Sequence, residues 1–130
     1  LLERADFISI HTPLTEDTKN LFGQKAFKQM KPEALLINTA RGPLVDIDAL
    51  AQALVAGEIA GAALDVLPQE PPPDDCPLFG RDDVILTPHT GFYSADALLD
   101  LQTTVATDVA SVLNGEFPRF PVNPSVRDPQ

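Results

Sequence analysis

Arg41, Glu70 and His89 are three side chains whose chemistry could be combined to hold an anion and move a proton. Each follows a short apolar run that reads as a buried strand, at 34–37, 61–66 and 84–87. In an open parallel sheet, ligands bind beyond the carboxyl ends of the strands, so residues distant in sequence can meet there. A guanidinium offers a planar fork of donors that matches a carboxylate. A carboxylate beside an imidazole favours the protonated ring, which is an acid in one direction and a base in the other. An arginine close by would fix an anionic substrate and polarise its oxygen. The set suits reversible proton transfer to a carbonyl oxygen beside a carboxylate, and does not by itself show that a hydride moves.

Plainer roles fit the same residues. Arg41, just before Gly42, suits a surface ion pair. Glu70, between Pro68 and Pro71, suits a solvated loop. His11 also follows an apolar run and fits either packing against a ligand or capping a loop. His11, His89 and Asp65 are metal-ligand types without the tight spacing of a metal site, so no metal is assigned. Cys76 is the single cysteine. It can form no intrachain disulfide, and no base partner marks it as a nucleophile.

The elements that must position these residues alternate in type. Residues 6–11 read as a strand running into His11-Thr12-Pro13, where proline disfavours helix for the residue before it. Thr15 or Asp17 is placed to cap a short helix. Ala26, Phe27 and Met30 give a further helical face that Pro32 stops. After the strand at 34–37, Asp46 caps a helix whose stripe is Ile47, Leu50, Ala51, Leu54 and Val55, and Gly57 closes it. The run at 61–66 is small and apolar, which permits close approach by a helix or a cofactor. Residues 68–77 hold five prolines and form a loop, with Leu78 and Phe79 as a plug against the core. Ser94 caps the longest helix, 95–113, with Leu98, Leu101, Val105, Val109 and Val112 as its stripe. Strand and helix alternate as in βα units, which predicts an α/β fold with a parallel sheet.

Composition narrows the class. The chain has 130 residues, nine basic against nineteen acidic, and a net charge of -10. That is one domain at most. It argues against nucleic acid or an anionic membrane as partner, since both need clustered Lys or Arg. No apolar run reaches the ~18 residues that span a bilayer. The opening residues, with Glu3, Arg4 and Asp6, do not read as a signal peptide. A cytoplasmic domain is the expectation. The chain lacks an initial Met and any G-x-G-x-x-G, so it reads as a segment of a longer protein.

Four segments together resemble the NAD-dependent D-2-hydroxyacid dehydrogenases. They are A-D-F-I-S-I-H-T-P-L-T (5–15), M-K-P-E-A-L-L-I-N-T-A-R-G-P-L-V-D (30–46), G-A-A-L-D-V-L-P-Q-E-P (61–71) and L-T-P-H-T-G-F-Y-S (86–94). The similarity runs from about Ala5 to Asn123. Its end, with N-G-E-F-P-R-F-P-V-N (114–123), most resembles the branch holding phosphoglycerate-dehydrogenase-like enzymes and the C-terminal-binding corepressors. The resemblance implies a Rossmann-like doubly wound parallel sheet, incomplete, corresponding to the second half of a dinucleotide-binding domain. Residues 1–113 would be the C-terminal part of the NAD-binding domain, with helix 95–113 reaching toward the substrate domain, and 114–130 a proline-rich tail.

Roles follow by position. Arg41 matches the substrate-binding arginine, Glu70 the acid that partners the catalytic histidine, and His89 that histidine. Asp65 matches an acid that contacts the nicotinamide amide. Thr39 and Ala40 would line the nicotinamide side, with Arg41, His89 and Gly91 also at the cofactor, while His11, Thr12 and Pro13 lie beside the adenosine half. Phe92 matches an aromatic near the substrate. The implied cofactor is NAD, the implied substrate a small 2-hydroxy or 2-keto acid, and the implied assembly a homodimer of the whole protein. The glycine loop and ribose-binding acid of the family are absent here, so this segment alone is expected to be inactive, to bind NAD weakly or not at all, and to self-associate. A second class fits the same branch: an NAD(H)-sensing interaction protein without significant turnover.

Overall fold

The computed structural model describes residues 1–123. Four short strands, β1 (Phe7–Ile10), β2 (Leu35–Asn38), β3 (Gly61–Leu64) and β4 (Val84–Leu86), pair in parallel in the order β1-β2-β3-β4. Phe7 aligns with Leu35, Leu35 with Gly61, and Ala62 with Val84. All four carboxyl ends therefore leave the sheet at one edge, and the segments carrying Arg41, Glu70 and His89 begin side by side. This is the incomplete Rossmann-like sheet that the sequence predicts. The chain divides into two compact units, Leu1–Gly91 and a second from Phe92 onward.

Strand alternation decides which face is covered. Ile8 and Ile10 of β1 are buried, and Leu36 and Asn38 of β2 are fully so. Ile8, Ile10 and Leu36 join Phe27 of α1 (Gln24–Phe27), Leu50 and Leu54 of α2 (Ile47–Ala56), and Leu64 of β3 in one cluster. Each such apolar side chain contributes roughly 1.5–3 kcal/mol. On the opposite face Phe7 is 68% exposed and Ile85 67%.

The helix α2 follows its end signals. The Asp46 carboxylate accepts from the Ala49 N–H at 3.0 Å, Asp48 sits in the first turn, and Gly57 closes the helix in a left-handed conformation. Leu50, Ala51 and Leu54 of the expected stripe are buried, but Val55 is exposed.

Two expectations need correction. No helix follows Thr15: the Thr18 hydroxyl accepts from the Thr15 N–H at 2.7 Å and donates to the Pro13 carbonyl at 2.8 Å, closing turns instead. Threonine hydroxyls compete with the helix for backbone groups in this way. The β3–β4 link runs through the proline-rich loop, as the sequence predicts, since the missing N–H groups and fixed φ deny a helix there. Of its plug, Leu78 is buried but Phe79 is half exposed.

In the second unit, α3 (Ala95–Leu113) starts where the Ser94 hydroxyl accepts from the Ala97 N–H at 3.1 Å. Its apolar stripe is present in sequence, yet no residue of α3 is buried. Beyond the helix, Arg119 turns back toward Asp108, with Nε 3.5 Å from Oδ1. The rest of the expected tail, 124–130, lies outside the described residues. Among the described residues no helix is long and apolar enough to cross a membrane.

Candidate active site

Arg41 is held by the end of β2. The fully buried Asn38 side chain accepts from the Ala40 N–H through Oδ1 at 3.0 Å and donates to the Arg41 carbonyl through Nδ2 at 2.9 Å. A buried amide placed this way satisfies the turn and leaves none of its polar atoms orphaned. Arg41 itself is extended and exposed, and its Nη1 donates to the Ala40 carbonyl at 2.7 Å. The next residue must be glycine on steric grounds. A Cβ at Gly42 would lie 2.0 Å from the Leu67 carbonyl carbon and 2.4 Å from the Pro68 nitrogen. The Arg41 turn is thus pressed flat against the start of the Glu70 loop.

Glu70 is anchored at both oxygens. Oε1 accepts from the Leu67 N–H at 2.9 Å, and Oε2 lies 2.7 Å from His89 Nδ1. The bond to His89 and then the Leu67 amide hold the Glu70 carboxyl below its ordinary range, so the group is a carboxylate. Both side chains of the pair stay partly exposed. His89 sits just past β4 with φ at 54°, a left-handed conformation that few non-glycine residues adopt. Its N–H donates to the Thr87 carbonyl at 3.0 Å.

Asp65 follows β3 and is buried. Its backbone N–H donates to the Asn38 carbonyl at 3.0 Å. Its carboxylate accepts from the Thr87 hydroxyl, from the Thr90 N–H at 2.9 Å and from the Gly91 N–H at 2.8 Å.

Two hollows bring Arg41 together with other sequence-derived candidates. One, about 200 Å3, is lined by Arg41, Gly42, Pro43, Val66, Leu67, Pro68, Glu70 and His89. The other, about 580 Å3, lies over the ends of β1 and β2 and is lined by His11, Thr12, Pro13, Leu14, Ala40 and Arg41. Arg41 lines both. Thr39 is exposed between Asn38 and Ala40. His11 Nε2 lies 2.8 Å from the Ser9 hydroxyl. Gly91 closes the first unit beside Asp65. Phe92 begins the second unit, half exposed, with its ring edge-on to Tyr93 at 5.6 Å between centroids. Sequence reasoning passed over Asn38, Gly42, Thr87 and Thr90 as contributors. An asparagine closing an apolar run before a turn is the one signal that pointed to any of them.

An acid–base pair beside an arginine, next to a second hollow at the strand ends, can bind an anionic carbonyl compound and exchange a proton with it.

The chain is similar to known proteins over most of its length. Residues 1–91 match the family described as D-isomer specific 2-hydroxyacid dehydrogenase, NAD binding domain. A glyoxylate reductase of Thermofilum pendens is 47% identical over 126 residues, covering 97% of this chain and 37% of that protein. A D-3-phosphoglycerate dehydrogenase of Methanocaldococcus jannaschii is 45% identical over 123 residues, covering 95% of this chain and 23% of the other. Among solved structures, D-lactate dehydrogenase with NAD+ from Lactobacillus jensenii superposes with a TM-score of 0.83 at 39% identity, covering 93% of this chain and 40% of that one. The chain thus spans well under half the length of the proteins it matches.

Proposed function

This chain belongs to the D-isomer specific 2-hydroxyacid dehydrogenases, and from that premise we propose that it is the catalytic half of an oxidoreductase acting reversibly on a small 2-hydroxy or 2-keto acid. Residues 1–113 are read as the C-terminal part of its NAD-binding domain. The observation that carries the proposal is the Glu70–His89 pair at 2.7 Å in a hollow that Arg41 also lines.

In this reading Arg41 binds the substrate carboxylate and turns a donor toward the keto oxygen, which stabilises charge as it develops there. His89 gives its proton to that oxygen as the carbonyl carbon is reduced. In the oxidative direction it takes the hydroxyl proton. Glu70 faces Nδ1 and holds the ring in the tautomer that leaves Nε2 to carry the exchanged proton. Glu70 also stabilises the imidazolium, because its own carboxyl remains ionised. The nicotinamide cofactor, NAD, supplies or accepts the hydride when bound. His11, Thr12, Pro13, Thr39 and Ala40 would hold it along the strand ends, with Arg41, His89 and Gly91 toward the reacting end. A homodimer of the whole protein belongs to the same reading. So does the absence of a nucleic-acid partner, which the net charge of -10 supports.

The test follows NADH consumption by the native protein with glyoxylate, pyruvate, hydroxypyruvate and phosphohydroxypyruvate. Glyoxylate comes first because relatives bear the name glyoxylate reductase. Turnover is expected, and His89→Ala should lower it by about 10²–10⁴-fold, the usual contribution of a general acid. Tight NADH binding without turnover on any of the four would overturn the enzyme reading in favour of a cofactor-sensing interaction protein.

A further inference from the structure

The resemblance gives Asp65 a contact with the cofactor's amide, and within the chain its carboxylate has a second task. Three donors converge on it from one loop: the Thr87 hydroxyl and the Thr90 N–H on Oδ1, and the Gly91 N–H on Oδ2. These donors bracket His89 on both sides. They lie 22 to 26 residues away in sequence, so the bonds tie two separate strand ends together rather than closing a local turn.

The residue inside the bracket is the one that needs holding. His89 adopts φ 54°. A non-glycine residue in that region persists only where its surroundings impose it. Gly91 lets the carboxylate come close, since a Cβ there would lie 2.9 Å from Asp65 Oδ2. Asp65 is in turn fixed through its own N–H to the carbonyl of Asn38, the residue whose side chain holds Arg41. The Thr87 hydroxyl, then the Gly91 and Thr90 amides, keep the Asp65 carboxyl below its ordinary range despite burial, which favours the anion that three donors require.

We propose that Asp65 is a positioning residue. Its carboxylate clasps the 87–91 loop, fixes the left-handed backbone of His89, and so sets the imidazole against Glu70 and toward the hollow that Arg41 shares. This rests on the acid–base reading of His89 for its effect on rate, and on geometry alone for its effect on the loop. Asp65→Asn turns one acceptor oxygen into an NH2 group facing an N–H or a hydroxyl. Thr87→Val removes one donor at nearly constant volume and leaves the carboxylate intact.

The experiment measures kcat, KM and NADH affinity of the native protein with glyoxylate, together with backbone amide hydrogen exchange, for wild type and both variants. Both variants should lower kcat, Asp65→Asn by about 10- to 100-fold, the scale of a small misplacement of a reacting group. For Thr87→Val, which leaves the Asp65 carboxylate intact, NADH affinity should stay within about twofold. Thr90 and Gly91 should exchange faster, while Leu36 in β2 keeps its rate and shows that the fold is intact. A loss of NADH affinity with unchanged exchange at Thr90 and Gly91 would overturn the proposal and return Asp65 to the cofactor. Faster exchange with undiminished kcat would overturn it equally, since the clasp would then set nothing that matters to the reaction. A wild type without turnover would refute the acid–base reading alone. In that case the exchange rates decide the clasp, with unchanged rates refuting it and faster rates upholding it.

Discussion

The loop after β2 and the loop after β4 each present one residue of the site, and they are held by opposite means. Arg41 is held from within its own turn, by the neutral Asn38 amide, which bonds the Ala40 N–H and the Arg41 carbonyl, and by the missing side chain of Gly42. His89 is held from outside, by the charged Asp65 carboxylate on the neighbouring strand end. The first loop ends in an extended arginine whose side chain is exposed, the second in a histidine with a left-handed backbone. A residue that only has to reach a substrate can sit on a locally closed turn. A residue that exchanges a proton at one ring atom, as we propose for His89, needs its ring direction fixed, and the proposed clasp does that with a buried charge and a long-range contact.

Gly42→Ala should break the first loop with the largest effect. The added methyl meets Leu67 and Pro68 backbone, which cannot swing aside as a side-chain tip could. The expected destabilisation is at the upper end of the ~1–3 kcal/mol range of overpacking. Urea unfolding of the variant measures it, and a loss under about 0.5 kcal/mol would mean that the two loops are not pressed together.

Acid separates the two clamps with a smaller effect. Asp65 titrates and Asn38 does not. The folded Asp65 carboxyl lies below its ordinary value of 3.8, so its stabilising contribution is complete above that value and fades as pH falls through the lowered one. The amide proton shifts of Thr90 and Gly91 should therefore move with midpoints below 3.8, while the Ala40 amide, held by Asn38, shows no step there. Midpoints at or above 3.8, or the same step at Ala40, would remove the distinction.

The same contrast explains how far the sequence could be read. Helix α2 was legible at both ends because Asp46 and Gly57 act on backbone within a few residues. The parallel sheet and the three strand-end residues followed from apolar runs broken by polar turns. What failed was long-range or competitive. The turns at Thr15–Thr18 won over a helix because hydroxyls there bond the backbone. The stripe on α3 has the right period, but period alone does not say what covers it, and no residue of that helix is buried. Asp65 stood in the sequence as a strand-end acid. Its partners lie more than twenty residues on, as the 22-residue separation from Thr87 shows, and no local pattern announces them.

One measurement bears most directly on whether the two loops build a single site: a double-mutant cycle on the native protein with Arg41→Ala and His89→Ala, read as kcat/KM for NADH-dependent reduction of the best 2-keto acid. Groups that act on one transition state are strongly non-additive. The double variant should fall no further than about tenfold below His89→Ala alone, although Arg41→Ala by itself costs about 10²-fold or more. Losses that simply multiply, or an Arg41→Ala variant as fast as wild type, would contradict a shared site.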